Sequence, residues 1–533
     1  MEFNVSRFKY FFKEVTGFTP YEWQIDIAVK LASMDKGVLV LSAETGSGKT
    51  EAVLTPGLFL GRQVIIVEPY RAIIEDLEDR VKNYLINLSK KFNAIYSLGI
   101  DYGGEHEIYE CCRDGCNRKE SRKPFGADTI LTTTDEMLYR LLSIGPERKA
   151  SFYATLIRFG NPLVFFDEGH SYADDVGRVN PFVTFIHEVI SLSLYVPVVV
   201  TSASIQEYLK EHLRHLANLN RVKYDCYEVK PRKKDVSKAV VEFFTQEGAD
   251  VIASKVLELI SSGFKSILVR VIRPETAFNV YSRLVKELYS KYCIGVLHGR
   301  MPTKDRANVF RSIRQDILSG EPLVLVATGV IEAGVDLDFD AGVVELMPYS
   351  NLIQTLGRVN RRYRKAGSRV VIVRSNDLDW SVVGGDMRYL NELVSRLANV
   401  GGVPWEEVSE VVAEIAKKYD KLTPNTLVDI YTDSYSRLIS ISLYSLFHLR
   451  GTLLEYLIGL SEDEYNTRGS LDILAEVEGE KGNYIRIPYS IAEELKIKEG
   501  KIPNNLLTPH NYIRRNEEEI RARGLIKHSQ GKP

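Results

Sequence analysis

The residues best equipped for chemistry lie early in this 533-residue chain, in Val38-Leu39-Val40-Leu41-Ser42-Ala43-Glu44-Thr45-Gly46-Ser47-Gly48-Lys49-Thr50. An apolar, β-branched run reads as a buried strand. It passes through a Gly-containing turn into Lys-Thr and a helix-compatible stretch. Gly46 and Gly48 can take positive φ, so the N–H groups of the loop, Thr45 and Ser47 included, can turn toward one anion. The start of the helix adds its partial positive charge. Lys49 can reach the β- and γ-phosphates of a nucleoside triphosphate, and the Thr50 hydroxyl can ligate Mg²⁺. Ala43 departs from the general G-x-x-x-x-G-K-[ST] pattern, which opens on Gly.

A second run, Leu163 to Phe166, leads directly into Asp167-Glu168-Gly169-His170. Hydrolysis of a phosphoanhydride needs one carboxylate to hold Mg²⁺ and another to orient the attacking water. Acids at the carboxyl tip of a buried strand stand where open parallel sheets bind ligands. Asp167 is the candidate metal partner and Glu168 the candidate base. A third group is Cys111, Cys112 and Cys116, with His106 just upstream. Three thiolates and an imidazole could hold Zn²⁺ or contribute to an iron–sulfur cluster. Adjacent cysteines rarely serve one tetrahedral ion, so a surface loop with a disulfide or free thiols is the competing reading.

These groups need elements to position them. The length implies several domains. Hydrophobic content of 44% and charged content of 26% fit a globular fold, and the net charge of −2 leaves nucleic-acid binding to a local groove. No apolar run reaches the length of a membrane span and no secretory signal opens the chain, so no membrane partner and a cytoplasmic location are expected. Strands alternate with helical stretches from Phe18 to about Ser204 and again from about Val251 to Arg374, which predicts two parallel-sheet α/β blocks. The expected domains are 1–219, a linker at 220–247 with the basic run Lys230 to Lys234, 248–376, and a mainly helical accessory region at 377–533. In the last, amphipathic helix is expected over 387–420 and apolar helix over 437–460.

Asp-Glu-x-His after such a loop resembles superfamily 2 helicases, and further segments follow in that family's order. The resemblance implies an α/β fold of two tandem RecA-like domains. It also implies that Gln24, within Phe18 to Gln24, reads adenine. Pro69-Tyr70-Arg71-Ala72 and Thr132-Thr133-Thr134-Asp135 are similar to segments gripping a nucleic-acid backbone, with Arg71, Thr133 and Thr134 as contacts. Ser202-Ala203-Ser204 stands where Ser-Ala-Thr is usual. His298-Gly299-Arg300-Met301 resembles a strand-contacting segment, which places Arg300 there. In Ala327 to Asp336, Thr328 offers a hydroxyl to a nucleic-acid phosphate, Gly334 permits close backbone approach to the nucleotide and Asp336 accepts from the ribose. In Gln354 to Arg362, Gln354, Arg358 and Arg361 are implied as catalytic. Arg358 and Arg361 are three residues apart and are expected on one helix face, reaching the γ-phosphate as arginine fingers. Ala43 is common at this position in superfamily 2.

Asn360, where most members have Gly, and the core Glu332 to Asp336 resemble the CRISPR-associated helicases of type I interference. That resemblance implies an ATP-driven 3′-to-5′ translocase on single-stranded DNA, recruited by an RNA-guided surveillance complex. Many such proteins begin with an HD nuclease domain. Here the adenine-reading segment starts by residue 18 and none of the nine His is followed by Asp. A separate HD nuclease subunit is therefore expected, and no nuclease activity in this chain. The alternatives are a superfamily 2 DNA-repair helicase and an ATP-gated clamp that does not unwind.

Overall fold

The computed structural model describes residues 3–44, 46–69, 71–102, 105–119, 124–134, 136–137, 162–169, 171, 179–202, 205, 207–229, 239–288, 291–331, 337–361, 367–377, 379–380, 387–398, 400–419, 472–481, 483–488, 501–503 and 506–507. They form two compact units, one built on residues 1–232 and the other on 233–420 and 470–533.

The first unit is a nine-stranded sheet of β1 (Gly37–Ser42), β2 (Val64–Glu68), β3 (Tyr96–Tyr102), β4 (Glu105–Cys112), β5 (Gly115–Lys119), β6 (Thr129–Thr133), β7 (Leu163–Phe166), β8 (Pro197–Ser202) and β9 (Tyr224–Glu228). Their order is β5-β4-β3-β6-β2-β7-β8-β1-β9. Pairing is parallel from β3 to β9, and β3-β4-β5 is an antiparallel meander. The central strands are apolar throughout because both faces are covered. Val38, Val40, Val164 and Phe166 enter one core, while Leu39, Leu41, Leu163 and Phe165 enter the other. Alternate side chains of a strand point to opposite faces, so an uninterrupted apolar run fills two layers.

The second unit is a seven-stranded sheet of β10 (Val240–Phe244), β11 (Ser266–Arg270), β12 (Cys293–Leu297), β13 (Leu323–Ala327), β14 (Ala341–Glu345), β15 (Arg369–Val373) and β16 (Gly401–Pro404). Its order is β12-β13-β11-β14-β15-β10-β16, parallel except for β16. Both expected α/β blocks are therefore present.

The stretch expected to be a linker holds a strand of each sheet, β9 beside β1 and β10 beside β15. The basic run 230–234 lies outside the described residues. The helices expected over 387–420 form at Met387–Leu397 and Trp405–Lys418. They continue the second unit, where Leu390, Leu393, Trp405 and Val408 share a core with Val370 and Ile372. Residues 437–460 lie outside the described residues. A small sheet of β17 (Asp472–Val477), β18 (Tyr484–Pro488) and β19 (Lys501–Ile502) follows. It docks on the helix Thr303–Ser319, where the Asn483 amide accepts from Lys304 N at 3.0 Å and donates to Asp305 at 3.1 Å. No described helix is long and apolar enough to cross a membrane.

Candidate functional site

In the first unit the described candidates for nucleotide and nucleic-acid contact lie at, or just beyond, the carboxyl end of a parallel strand, apart from Gln24, which comes from the helix Glu22–Ala32. The loop after β1 turns at Gly46 (φ 72°) and Gly48 (φ 90°) into the helix Lys49–Phe59. Gly48 is needed twice over. Its φ is left-handed, and a Cβ there would stand 2.7 Å from the Gln24 amide nitrogen. Gln24 is buried. Its amide donates to Gly48 O at 2.9 Å and accepts from Tyr21 N at 2.9 Å. The expected adenine reader is thus bonded to the phosphate loop itself. Lys49, also buried, donates to Ala43 O at 3.1 Å and Glu44 O at 3.4 Å. Thr50 is buried in the first turn of the helix, and Ser47 donates to Glu44 O at 2.7 Å. Thr45 lies outside the described residues.

Two strands along from β1, β7 delivers Asp167 and Glu168. Asp167 Oδ1 accepts from Glu168 N at 2.8 Å and from the Thr201 hydroxyl on β8. Burial raises the Asp167 carboxyl above its ordinary range and the charge of Glu168 raises it further. Lys49 and the two hydrogen bonds oppose this. Glu168 takes a positive φ of 50°, the kind of backbone strain that collects at functional positions. Gly169, where Ala or Val is commoner in this motif, has a packing reason. A Cβ would meet Val200 Cγ1 at 2.7 Å, while Gly169 N donates to Thr201 O at 2.8 Å.

Glu68 was not foreseen. It ends β2, is 1% exposed, and its two carboxyl oxygens have no hydrogen-bond partner among the described residues. Burial pushes its carboxyl well above the ordinary range, and the charges of Asp167 and Glu168 add to that. The signal was an acid closing a buried apolar run, the same signal that marked Asp167. Three carboxylates and one lysine feel one another's charge here. Hard oxygen donors gathered like this suit a Mg²⁺ ion, which Asp167 and the Thr50 hydroxyl would hold. Arg71 opens the helix Arg71–Phe92 just after β2, while Thr133 ends the neighbouring β6 and Thr134 follows it, both threonines buried.

The cysteine group does not gather as a metal cluster. Cys111 and Cys116 face each other across β4 and β5 and form a disulfide. Cys112 Sγ donates to Gly115 O at 3.4 Å. His106 is five residues from Cys111 on the same strand, so the two point to opposite faces, about 16 Å apart along it. His106 instead meets Asp101.

In the second unit the candidates divide between the two ends of the sheet. Arg300 and Thr328 follow the carboxyl ends of β12 and β13. Arg300 donates to Glu275 at 3.0 Å, and its N–H donates to His298 Nδ1 at 3.2 Å. Burial, with the charges of Arg300 and Arg306, pushes His298 down to about 3. Thr328 is buried, and its N–H donates to Leu297 O at 3.0 Å. Arg358 and Arg361 lie at the amino end, beside the residues that enter β14. Phe339 N donates to Arg358 O at 2.9 Å, Asn360 N to Phe339 O at 2.8 Å, and Arg361 N to Asp338 Oδ1 at 2.7 Å.

This corrects the expected shared helix face. The helix Tyr349–Leu356 carries buried Gln354 but ends before both arginines, and Val359 bridges Phe339. Asn360 has φ 44°, a left-handed turn that Gly or Asn adopts most readily. The Gly-or-Asn choice at this position thus has a backbone cause. Gly334 and Asp336 lie outside the described residues.

Residues 24–212 match the family model described as DEAD/DEAH box helicase. Residues 264–364 match the model described as CRISPR-associated nuclease/helicase Cas3, C-terminal. The chain is 23% identical to a CRISPR-associated nuclease/helicase Cas3 of Methanothermobacter thermautotrophicus, over 78% of this chain and 50% of that protein. It is 23% identical to a CRISPR-associated helicase Cas3 of Thermoproteus tenax, over 86% of this chain and 76% of that one. The crystal structure of T. fusca Cas3-ATP superposes with a TM-score of 0.61 at 19% identity, over 88% of this chain and 60% of that chain. A chain of a CRISPR RNA-guided surveillance complex, pre-nicking, superposes at 0.53 and 18%, over 86% and 58%. These likenesses show the fold of tandem RecA-like units. The chain spans about half the length of the Methanothermobacter relative.

Proposed function

We propose that this chain, a superfamily 2 helicase of the Cas3-like kind, is an ATP-driven 3′-to-5′ translocase on single-stranded DNA. It would serve an RNA-guided interference system of the CRISPR type, with cleavage supplied by a separate HD nuclease subunit. The observation that carries the reading is the placement, on one parallel sheet, of the Lys49 loop after β1 and of Asp167-Glu168 after β7.

In this reading Lys49 binds the β- and γ-phosphates, and the loop N–H groups around Gly46 and Gly48 bind the remaining oxygens. When bound, Mg²⁺ neutralises charge on those phosphates; Asp167 and Thr50 would hold it. Glu168 orients the attacking water and takes its proton. Gln354, Arg358 and Arg361 answer the charge that develops on the γ-phosphate. Gly334 and Asp336 serve the nucleotide, and Arg71, Thr133, Thr134, Arg300 and Thr328 hold the nucleic-acid strand.

The test uses the purified chain. ATP hydrolysis is measured with single-stranded DNA, with RNA and with neither, alongside displacement of duplexes bearing a 3′ or a 5′ tail. Stimulation by DNA, displacement from the 3′ tail only, and loss of both in Lys49→Ala are expected. Stimulation without displacement would make the chain a clamp, and stimulation by RNA alone would replace the substrate. Equal degradation of single-stranded DNA by the native and Lys49→Ala proteins with Mg²⁺, Mn²⁺, Ni²⁺ or Co²⁺ would remove the separate nuclease from the reading.

A further inference from the structure

Away from the nucleotide residues, the first unit brings together three side chains that suit a metal. Asp101 is on β3, His106 on β4, and Glu136 is in the helical residues that follow β6. The register explains the meeting. Asp101 pairs with His106 across the antiparallel β3-β4 hairpin and with Thr132 across the parallel β3-β6 pair. Asp101 is fully buried and Glu136 is 5% exposed. His106 Nδ1 lies 2.5 Å from Asp101 Oδ1, and one ligand atom from each of the three lies within 4.8 Å of the others.

We propose that Asp101, His106 and Glu136 form a site for one divalent transition-metal ion, of the Zn²⁺ or Mn²⁺ type. An imidazole with two carboxylates is the mixed donor set these ions accept. Ligands roughly 2.0–2.2 Å from one ion stand about 3–4.4 Å apart, so the 2.5 Å contact between His106 and Asp101 would open slightly to admit the ion. A divalent cation would neutralise both carboxylates. The site is distinct from the one served by Asp167. β3 is three strands from β7, about 14 Å across the sheet at about 4.8 Å per strand. An ion here would tie the β3-β4 hairpin to the chain just past Thr133 and Thr134, and so brace a segment assigned to nucleic-acid contact.

The experiment is a calorimetric titration of the chelator-treated full chain with Zn²⁺ and, separately, Mn²⁺, without nucleotide or nucleic acid. A single ion per chain is expected. His106→Ala and Glu136→Gln should each weaken binding at least about tenfold, the loss that removing even an outer partner of a metal site can cause. Cys112→Ser should bind as the native chain does, which separates this site from a thiolate site. The unfolding midpoint of the native chain should rise on adding metal, and that of Glu136→Gln should not. Glu136→Gln keeps size and hydrogen-bonding capacity, so it carries the test if His106→Ala fails to fold. Absence of binding by the native chain overturns the proposal. So does binding that survives both His106→Ala and Glu136→Gln, or binding lost in Cys112→Ser. None of these outcomes depends on ATP hydrolysis, so the site and the proposed function fail separately.

Discussion

The two α/β units use their sheets differently. The first places nearly all its candidate residues at the carboxyl ends of parallel strands: the Lys49 loop after β1, Arg71 after β2, Thr133 after β6 and Asp167 after β7. The second keeps Arg300 and Thr328 at carboxyl ends but holds Arg358 and Arg361 at the amino end, against residues 338–340. The difference follows from charge. An anion is cradled where helix N-termini and turning N–H groups gather, which is the carboxyl end of the strands. An arginine brings its own charge on a long stem and needs no such place, only a turn that aims it. The carboxylates differ too. Glu68 and Asp167 lie within the field of Lys49, whereas Glu345, at the end of β14, receives Ile272 N–H at 2.7 Å and is pushed up to about 8 by burial and by Asp379.

The largest expected effect tests the split in the second unit. Arg361→Ala should lower steady-state ATP turnover by about 10³–10⁵. Binding of a fluorescent ATP analogue should stay near native, because the phosphate loop belongs to the first unit. A fall of less than tenfold would return Arg361 to an ordinary surface role and remove the division of labour.

The next effect contrasts the carboxylates. Glu345 keeps its proton in the folded state up to about pH 8, whereas the unfolded chain releases it near the ordinary value of 4.5. Between these values the folded state binds more protons, so stability is present below about pH 4.5 and is lost as pH rises toward 8. Glu345→Gln should remove that loss and gain on the native chain across the window, by an amount of the order of a few kcal/mol. Urea unfolding at pH 5 and pH 8 reads the difference. Parallel curves for the two proteins would show that Glu345 is ionised in the fold.

The smallest effect concerns the turn that aims the arginines. With φ at 44°, Asn360→Gly should cost no more than about 1 kcal/mol, mainly lost side-chain bonding. Asn360→Val should cost about 1–3 kcal/mol more, since a β-branched residue resists the left-handed region. Equal unfolding midpoints for the two variants would mean that the turn relaxes, and that its geometry does not choose between Gly and Asn.

Much of the fold was legible. Runs such as Val38–Leu41 and Leu163–Phe166 form the strands they predict, because a strand covered on both faces must be apolar at every position. The geometry of the Lys49 loop was legible because it is local: positive φ at Gly46 and Gly48, then a helix start. The stretch 220–247 contains the boundary between the two units, and the strands it also holds are hard to read because short edge strands such as Tyr224–Glu228 alternate with polar residues and look like loop. The arginine pair was misread because spacing of three suggests a helix wherever no breaker is visible, and an Asn is a weak breaker.

What the sequence determined by itself was everything encoded in short, contiguous spacing: the Lys49 loop, the Asp167-Glu168 pair, the order of motifs and the alternation of strand and helix. What only the tertiary structure decided was who meets whom across strands. Cys111 pairs with Cys116 while His106 turns to Asp101, Glu68 enters the field of Asp167, and Gln24 bonds to Gly48. The reason is physical. Periodicity reports which face a side chain takes, but the register between strands and the order of strands in a sheet arise from packing residues far apart in the chain. A cross-strand neighbour has no fixed spacing to read.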